Sequence, residues 1–401
     1  MVTIGVIKEG KIPVDKRVPL IPEHVVKLMA AHSGIDVSIQ HSEYRCYPDK
    51  EYQQLGLRVK ESVADCDILL GVKEVPIPEL IPTKTYMFFS HTTKEQAYNR
   101  NLLKEILNKK ITLIDYEALT DQHGQRIVAF GRYAGIVGAY NGLLTYGKKL
   151  ELFNLRRAYD CFDLEDLKTE YTKINLPAIK IVVTGGGRVA QGSMEVLDDV
   201  GIRKVSAAAY LNEQFYEPVY TQLHSHRYNK HKEGAAFSDE DFHRHPEMFE
   251  ADFLKYTEKT DLLIAGAYWD PAAPVLFTKD DLRKPTFRIK VIADITCDIE
   301  GSIPTTVRPT TIDDPFYDYS PQLLTEKPAF SNKENITVMA IDNLPNELPR
   351  NASQDFSKEL INKVLPLFIE GDEEEVLERA TITRNGELTK KYAYLESYVN
   401  G

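Results

Sequence analysis

Short apolar runs alternate with segments of helical period along most of the chain. In the first third, the runs that predict strands lie at residues 3–7, 68–72, 86–89 and 112–114. One helix is predicted after "IPEH", with apolar residues at Val25, Val26, Leu28 and Met29, and another over residues 94–109. Strands that alternate with helices are typical of a mainly parallel sheet, so the pattern predicts an α/β unit.

A second α/β unit is predicted after the long glycine-rich helix "FGRYAGIVGAYNGLLTYGKKL". It begins at "IKIVVTGGGRVAQGSMEVLDDVG", which predicts a strand, a loop and a helix in that order. Its later strands are expected at residues 204–209, 261–265, 290–294 and 336–341. The charged, histidine-rich stretch "LHSHRYNKHKEGAAFSDEDFHRHPEMFE" is expected to be a surface excursion.

Composition narrows the class of protein. A length of 401 residues with 43% hydrophobic content suits two well-filled domains. The net charge of -11 is spread along the chain, which disfavours nucleic acid and anionic membranes as partners. The four cysteines form no CxxC pair, so neither a metal site nor a disulfide framework is expected. With no signal peptide and no long apolar run visible, we expect a soluble cytoplasmic protein.

The loop "VVTGGGRVAQG" follows a strand and opens a helix, which is the context that makes a glycine fingerprint meaningful. Gly185 would make the tight turn, and Gly187 would let the backbone approach a pyrophosphate at the helix N-terminus. Ala190 and Gly192 would allow close packing between the helix and the strand. The predicted cofactor-binding residues here are Gly185, Gly187, Arg188, Val189 and Ala190, for NAD or NADP. The alternative is a glycine turn that binds nothing.

An acidic residue that binds the ribose hydroxyls usually follows about 20 residues after such a loop in NAD-binding folds. Here the predicted second strand runs through "SAAAYLNEQF", so only Asn212 and Glu213 are candidates. The choice between NAD and NADP is therefore open.

Titratable residues end four of the predicted strands in the first unit. Lys8 ends the first, Lys73 and Glu74 the next, His91 the third, and Glu117 the fourth. Ligands of open α/β sheets bind at the carboxyl ends of strands, so this set predicts a site, although any one member alone suits a surface ion pair. A partly buried lysine beside a histidine and carboxylates is suited to proton transfer.

Two arginines are candidates for binding substrate carboxylates. Arg17 in "DKRVPLIP" precedes a helix, and Arg126 lies in "HGQRIVAFG". Arginine binds carboxylates through two parallel hydrogen bonds, although an ordinary surface ion pair explains either residue as well.

At this point the sequence resembles a known family. The segments that carry the resemblance, in order from residue 1 to about 395, are "KRVPLIPEHV", "ILLGVKEVP", "FFSHTTKEQ", "LIDYEALTDQHGQRIVAFG", "GAYWD", "ADITCDIEGSI" and "AIDNLPNELPR". They resemble the lysine-forming saccharopine dehydrogenases, most closely the lysine–2-oxoglutarate reductase half of bifunctional aminoadipic semialdehyde synthase. More distantly the chain is similar to alanine dehydrogenase.

The resemblance implies a reversible reductive condensation of L-lysine with 2-oxoglutarate to saccharopine, with a nicotinamide cofactor. By position, Lys73 and His91 match the family's acid–base pair. The substrate-binding residues that it implies are Arg17, Glu74, Glu117 and Arg126. Asp294, Asp342 and Asn343 match loops on the nicotinamide side. Which of Lys8 and Lys11 reaches the site is open.

The resemblance also implies the architecture, which is two Rossmann-like, doubly wound domains with a cleft between them. The substrate domain is expected at residues 1–135 and 340–401, and the dinucleotide-binding domain at residues 136–339. Small molecules are the expected partners, and a homo-oligomer is left open. Two rival functions are another NAD(P)-dependent amino-acid dehydrogenase, such as alanine dehydrogenase, and a non-catalytic nucleotide-binding regulator.

Overall fold

The computed structural model describes all 401 residues, which form two compact units. The first unit comprises Met1–Phe130 and Pro349–Gly401, and the second comprises Gly131–Leu348. The second unit is therefore inserted into the chain of the first. The sequence placed the boundaries after residues 135 and 339, and the roles given to the two segments stay predictions.

The first part of the first unit contains six strands and three α-helices. In chain order they are β1 (Val2–Val6), α1 (Pro22–Ala31), β2 (Ile35–Gln40), α2 (Asp49–Gln54), β3 (Arg58–Lys60), β4 (Ile68–Leu70), β5 (Thr85–Phe88), α3 (Arg100–Asn108) and β6 (Thr112–Asp115). The predicted helix over residues 94–109 is thus shorter, because Thr92–Lys94 and Ala97–Asn99 form separate 3₁₀ turns. Leu102, Leu103 and Ile106 form the buried face of α3.

The second unit begins with a long helix and contains ten strands. In chain order its elements are α4 (Gly131–Lys149), α5 (Leu164–Lys168), β7 (Lys180–Thr184), α6 (Arg188–Asp199), β8 (Arg203–Lys204), α7 (Ala207–Asn212), β9 (Val219–Leu223), β10 (Asn229–His231), α8 (Asp239–Arg244), β11 (Phe249–Ala251), α9 (Leu254–Thr257), β12 (Leu262–Ala265), β13 (Val291–Asp294), β14 (Tyr317–Ser320), β15 (Thr325–Lys327) and β16 (Ile336–Met339).

The chain then returns to the first unit. The closing elements are α10 (Pro349–Lys363), α11 (Leu367–Glu370), α12 (Val376–Ala380), β17 (Thr381–Arg384), β18 (Glu387–Leu388) and α13 (Glu396–Asn400). Helix α10 packs against α1, and the backbone N–H of Val18 donates to Ser353 Oγ at 2.9 Å. The C-terminal segment thus completes the first unit.

Each unit is built on an eight-stranded sheet, and the orders are β18-β17-β6-β5-β4-β1-β2-β3 and β15-β14-β16-β13-β12-β7-β9-β8. Six strands of each sheet are parallel, and the two at one edge are antiparallel. The strand order reverses between β1 and β4 in the first sheet and between β7 and β12 in the second. The prediction of two parallel-dominated, doubly wound domains is confirmed, and these reversal points are where open α/β sheets bind ligands.

The predicted strand over residues 204–209 is wrong. Only Arg203–Lys204 is extended, and residues 207–212 form helix α7, which Ser206 caps by accepting a hydrogen bond from the Ala209 N–H. Three consecutive alanines after a serine favour a helix, because alanine has the highest helix propensity and serine is a preferred N-cap. The strand that pairs with β7 is instead β9.

None of the helices is both long and apolar enough to cross a membrane. Helix α4 is nevertheless almost fully buried, and it packs closely on α6. A Cβ atom at Gly135 would lie 1.9 Å from Val189 O, and one at Gly192 would lie 2.0 Å from Arg132 O. Gly192 therefore permits close packing between two helices, rather than the predicted packing between helix and strand.

Candidate active site

The predicted acid–base residues follow neighbouring strands of the first sheet. Lys73 and Glu74 come after β4, His91 after β5, and Glu117 after β6. These three strands are adjacent and parallel, so their carboxyl ends lie at one edge. The topology thus brings together residues that the sequence placed at separate strand ends.

His91, Glu74 and Lys11 form a hydrogen-bonded chain. His91 Nδ1 lies 2.6 Å from Glu74 Oε1, and Lys11 Nζ donates to Glu74 Oε2 at 2.8 Å. Burial acts to raise the pKa of the Glu74 carboxyl, but the hydrogen bonds from His91 and Lys11 outweigh it and lower the pKa to about 2. Glu74 is therefore a permanent anion that orients the imidazole. Lys11, rather than the exposed Lys8, reaches the site.

The backbone of His91 is in the left-handed region, with φ 51° and ψ 18°. Residues other than glycine rarely adopt this conformation, and those that do cluster at functional sites. The ring of Phe89 stacks against the imidazole with an interplanar angle of 19°. The ring is thus held between an aromatic face and a carboxylate.

The Lys73 ammonium forms neither a hydrogen bond nor an ion pair within the protein, and only its backbone N–H is bonded. Burial lowers the pKa of this amine below its ordinary value, and the positive charges of Arg17 and Lys11 lower it further. An unpaired lysine with a lowered pKa is suited to exchange protons. We call Lys11, Lys73, Glu74, His91 and Glu117 the acid–base cluster.

Glu117 binds two cations at the rim of this cluster. Its Oε1 accepts a hydrogen bond from Arg126 at 3.0 Å and lies 3.2 Å from Lys94 Nζ. Burial acts to raise the pKa of the carboxyl, but Lys94, Arg126 and His91 lower it overall. Glu117 therefore lies close enough to His91 to feel its charge, and it brings Arg126 and Lys94 to the rim of the cluster. Lys94 was not among the predicted site residues.

Arg17 is buried, with 3% of its surface exposed. Its guanidinium donates to both carboxylate oxygens of Asp15, at 2.9 and 2.6 Å, and stacks over the Phe130 ring at 4.2 Å. It is therefore an internal ion pair in this structure rather than a surface one, and its contact with a substrate carboxylate stays a prediction.

Two buried residues that the sequence analysis missed fix the turn that carries His91. Asp115 ends β6 and accepts hydrogen bonds from both the N–H and the hydroxyl of Ser90, and from the Glu117 N–H at 2.7 Å. Burial raises the pKa of Asp115. The signal was present in the sequence, since Ser90 directly precedes His91 and Asp115 lies two residues before Glu117.

The glycine loop has the geometry of a dinucleotide cradle. Gly185 has φ +101°, and a Cβ atom there would lie 3.1 Å from Ala267 Cα, so glycine is required. Gly187 is the N-cap of α6, and a Cβ atom there would meet nothing within 4 Å. Open space therefore lies over the loop, and Arg188, Val189 and Ala190 form the first turn of α6, where N–H groups bind phosphates.

The candidates for the ribose-binding position were wrong. Asn212 and Glu213 lie at the C-terminal end of helix α7. This helix lies between α6 and β9, so the strand next to the glycine loop ends later in the sequence than the 20-residue spacing predicts. The strand beside the loop is β9, where Leu223 pairs with Thr184, and His224 follows it. The residues at this position are His224, Ser225, His226 and Arg227.

The other predicted cofactor residues follow strands of the second sheet. Asp294 ends β13, but its buried carboxylate accepts hydrogen bonds from the hydroxyls of Thr296 and Thr306, both at 2.6 Å. It therefore orders the loop after β13. Asp342 is exposed after β16, and Asn343 precedes a 3₁₀ turn. Their contact with a cofactor stays a prediction. No cluster of three or more His, Cys, Asp or Glu side chains is arranged to hold a metal.

Comparisons with known proteins agree with this architecture. Residues 5–137 match the alanine dehydrogenase/PNT N-terminal domain, and residues 168–392 match its C-terminal domain. A solved structure of L-alanine dehydrogenase covers 99% of both chains with a TM-score of 0.66 and 17% identity, which shows the fold alone.

Curated relatives extend the comparison. The alpha-aminoadipic semialdehyde synthase of Arabidopsis thaliana is 29% identical over 98% of this chain and 41% of its own length. The mitochondrial alpha-aminoadipic semialdehyde synthase of Mus musculus is 31% identical over 95% of this chain and 46% of its own length. The chain thus spans less than half of either synthase. An L-lysine-forming, NAD(+) saccharopine dehydrogenase of Schizosaccharomyces pombe is 24% identical over 88% of this chain and 90% of its own length. The predicted resemblance is confirmed, and the chain belongs to the alanine dehydrogenase/PNT family of oxidoreductases.

Proposed function

We propose that this protein forms or cleaves saccharopine, by reductive condensation of L-lysine with 2-oxoglutarate. Support comes from relatives named as saccharopine dehydrogenase and aminoadipic semialdehyde synthase. The observation that carries the proposal is the Lys73 amine, which has a lowered pKa and no partner beside the His91–Glu74 pair. Proton exchange at two groups is what imine chemistry requires.

The acid–base cluster divides the proton transfers of the reaction. The amine of lysine attacks the ketone carbon, and the carbinolamine then loses its hydroxyl as water after an acid protonates it. A bound nicotinamide dinucleotide supplies the hydride that reduces the imine carbon. We assign the removal of the amine proton and the protonation of the leaving hydroxyl to Lys73 and His91, with Glu74 orienting the imidazole at 2.6 Å.

The cations around the cluster suit the charge of the substrates. Saccharopine carries three carboxylates, and besides Lys11 the cations around the cluster are Arg126 and Lys94, which contact Glu117, and Arg17, whose charge acts on Lys73. Arg126 is half exposed and binds one oxygen of Glu117, so it is placed to bind an incoming carboxylate as well.

We propose NADP(H) as the preferred cofactor. From residue 224 to residue 232 the chain reads "HSHRYNKHK", which contains three basic residues and no carboxylate. His224, His226 and Arg227 are exposed, and the rings of the two histidines stack with centroids 6.1 Å apart. A carboxylate at this position binds the ribose hydroxyls of NAD, whereas a basic group accommodates the 2′-phosphate of NADP.

Displacement of bound NADPH, followed by its fluorescence, tests the cofactor proposal. Adenosine 2′,5′-bisphosphate should displace NADPH at least about tenfold more strongly than 5′-AMP, because the charge-assisted hydrogen bonds of one phosphate contribute about 1.5–3 kcal/mol. Arg227→Ala should remove most of that difference. Equal displacement by the two nucleotides would contradict NADP(H) and leave the reaction proposal standing.

A substrate panel separates the proposed reaction from its rivals. Oxidation of NADPH and NADH is followed with lysine plus 2-oxoglutarate, and with ammonia plus pyruvate. Turnover of the first pair alone is expected. Turnover of the second pair would identify an alanine dehydrogenase, and cofactor binding without any turnover would favour a regulator. The cytoplasmic location stays a prediction; the relative in Mus musculus is named mitochondrial.

A further inference from the structure

Beyond β1 the chain turns away from the sheet. The carboxylate of Glu9 then accepts backbone hydrogen bonds from the residues that follow β4. Ile7 N–H donates to Leu70 O at 2.9 Å, which is the last backbone bond between β1 and the β4 strand end. The next outward N–H groups, those of Val72 and Lys73, donate instead to the carboxylate of Glu9. Val72 N lies 2.6 Å from Oε1, and Lys73 N lies 2.9 Å from Oε2.

We propose that Glu9 is a positioning residue for Lys73, whose backbone its carboxylate clamps so that the unpaired amine points into the acid–base cluster. The inference rests on the proposed function only in giving Lys73 an acid–base role. The Glu9 carboxylate makes no hydrogen bond or ion pair with the Lys73 amine, so Glu9 acts through the main chain.

The surroundings of Glu9 make the clamp sensitive to protons. Burial and the negative charge of Asp15 raise the pKa of Glu9 to about 8, against the two backbone hydrogen bonds and the positive charge of Arg17. The buried hydroxyl of Tyr116 has no hydrogen-bond partner. Burial raises the pKa of Tyr116, and the negative charge of Glu9 raises it further, so Tyr116 lies close to Glu9. The groups that face Glu9 are therefore Asp15, Arg17, Tyr116 and the Lys73 backbone.

Only the ionised form of Glu9 accepts from both N–H groups at once, because a protonated carboxyl turns one oxygen into a donor. The clamp is therefore complete above about pH 8 and incomplete below it. Glu9 thus adds an ionisation on the acidic side of the pH–rate profile, separate from that of Lys73.

Glu9→Gln tests the clamp, because the amide accepts one N–H but turns its own NH₂ towards the other. We expect kcat to fall by about 10–100-fold, as for a misplaced catalytic group, with KM and NADPH affinity unchanged. The rise of kcat through about pH 8 should disappear. Amide hydrogen exchange of the peptide that contains residues 72 and 73 should become at least about tenfold faster.

Asp67→Asn is the matched control at the other end of the same strands. Asp67 Oδ2 accepts from the N–H and the hydroxyl of Thr3, at 3.1 and 2.7 Å, so it also joins the β1 and β4 regions. We expect it to leave kcat, the pH profile and exchange at residues 72 and 73 as in the wild type. If Glu9→Gln does not fold, Glu9→Asp takes its place, because its shorter side chain withdraws the oxygens.

A wild-type pH profile and exchange rate in the Glu9 variant would overturn the proposal. If the wild type itself does not turn over lysine and 2-oxoglutarate, the proposed function fails. Amide exchange then decides the clamp alone, and unchanged exchange at residues 72 and 73 overturns it.

Discussion

At the scale of single residues, the two proposed proton-transfer groups of the acid–base cluster differ in their side-chain contacts. Lys73 has no partner for its amine, whereas His91 is fixed by Glu74 at 2.6 Å and by the Phe89 ring. A group that is free to exchange protons thus lies beside one that is held in one orientation.

Lys73→Met and His91→Gln should each lower kcat by about 10²–10⁴-fold and remove one limb of a bell-shaped pH profile. Nicotinamide binding should persist in both variants, because the glycine loop belongs to the second unit. Steady-state rates from pH 5 to pH 10 and NADPH titrations provide the measurements. A double variant with near-normal turnover and an unchanged profile would remove both residues from the mechanism.

The sequence located Lys73, Glu74, His91 and Glu117 because apolar runs end at them. It did not locate Glu9 or Asp115, because their roles depend on which backbone groups the neighbouring strands leave unpaired. It also left Lys8 and Lys11 open, since the turn after β1 decides which side chain reaches Glu74. The pattern of apolar and polar residues thus predicts where strands end, but it does not predict which side chains bind to one another across the strand ends.

At the scale of elements, glycines determine how α4 and α6 meet. Strand and helix types were largely predictable from periodicity. The failure at residues 204–209 arose because an apolar run was interpreted as a strand, although the serine and the three alanines in it favour a capped helix. The same run misplaced the ribose-binding position, since α7 separates the glycine loop from β9. One wrongly predicted element therefore moved the predicted ribose-binding position from the end of β9, where His224 lies, to Asn212 and Glu213.

Gly135→Ala should destabilise the second unit by about 3 kcal/mol or more, since its Cβ would lie 1.9 Å from Val189 O and overpacking typically costs about 1–3 kcal/mol. Gly187→Val is the matched comparison in the open part of the loop. It should leave the melting temperature nearly unchanged but weaken NADPH binding, because the side chain occupies the space over the N-terminus of α6. Calorimetry and fluorescence titration measure the two effects, and equal melting temperatures for the two variants would contradict the packing argument.

At the scale of the whole molecule, buried carboxyls respond to pH in opposite directions. Glu9, with a pKa of about 8, is protonated more readily when folded, so its contribution to stability is full below about pH 4.5 and is lost as the pH rises to 8. Burial acts to raise the pKa of Glu170, but Lys173 and Arg156 lower it to about 2. Its contribution is therefore present above about pH 4.5 and is lost as the pH falls to 2.

Glu170→Gln should accordingly lower the free energy of unfolding of the second unit by about 1–3 kcal/mol at pH 7, the range for hydrogen bonds to a charged group. The carboxylate accepts from Arg156 Nε at 2.9 Å and from Lys173 Nζ at 2.7 Å. Urea titrations at pH 7, 4 and 2 should show the difference between variant and wild type shrinking towards zero at pH 2. A difference that does not depend on pH would assign the effect to packing instead.

The insertion of one unit within the other has a consequence for how the chain folds during synthesis. Residues 131–348 leave the ribosome as one uninterrupted stretch that contains all the strands of their own sheet. The first unit, although most of its strands emerge earlier, lacks α10 and β17 until residues 349–384 are made. Domains fold as units as they emerge, so the segment made second completes its core first. Strand β6 meanwhile keeps an unpaired edge, which a chaperone or a neighbouring nascent chain is able to bind until β17 arrives.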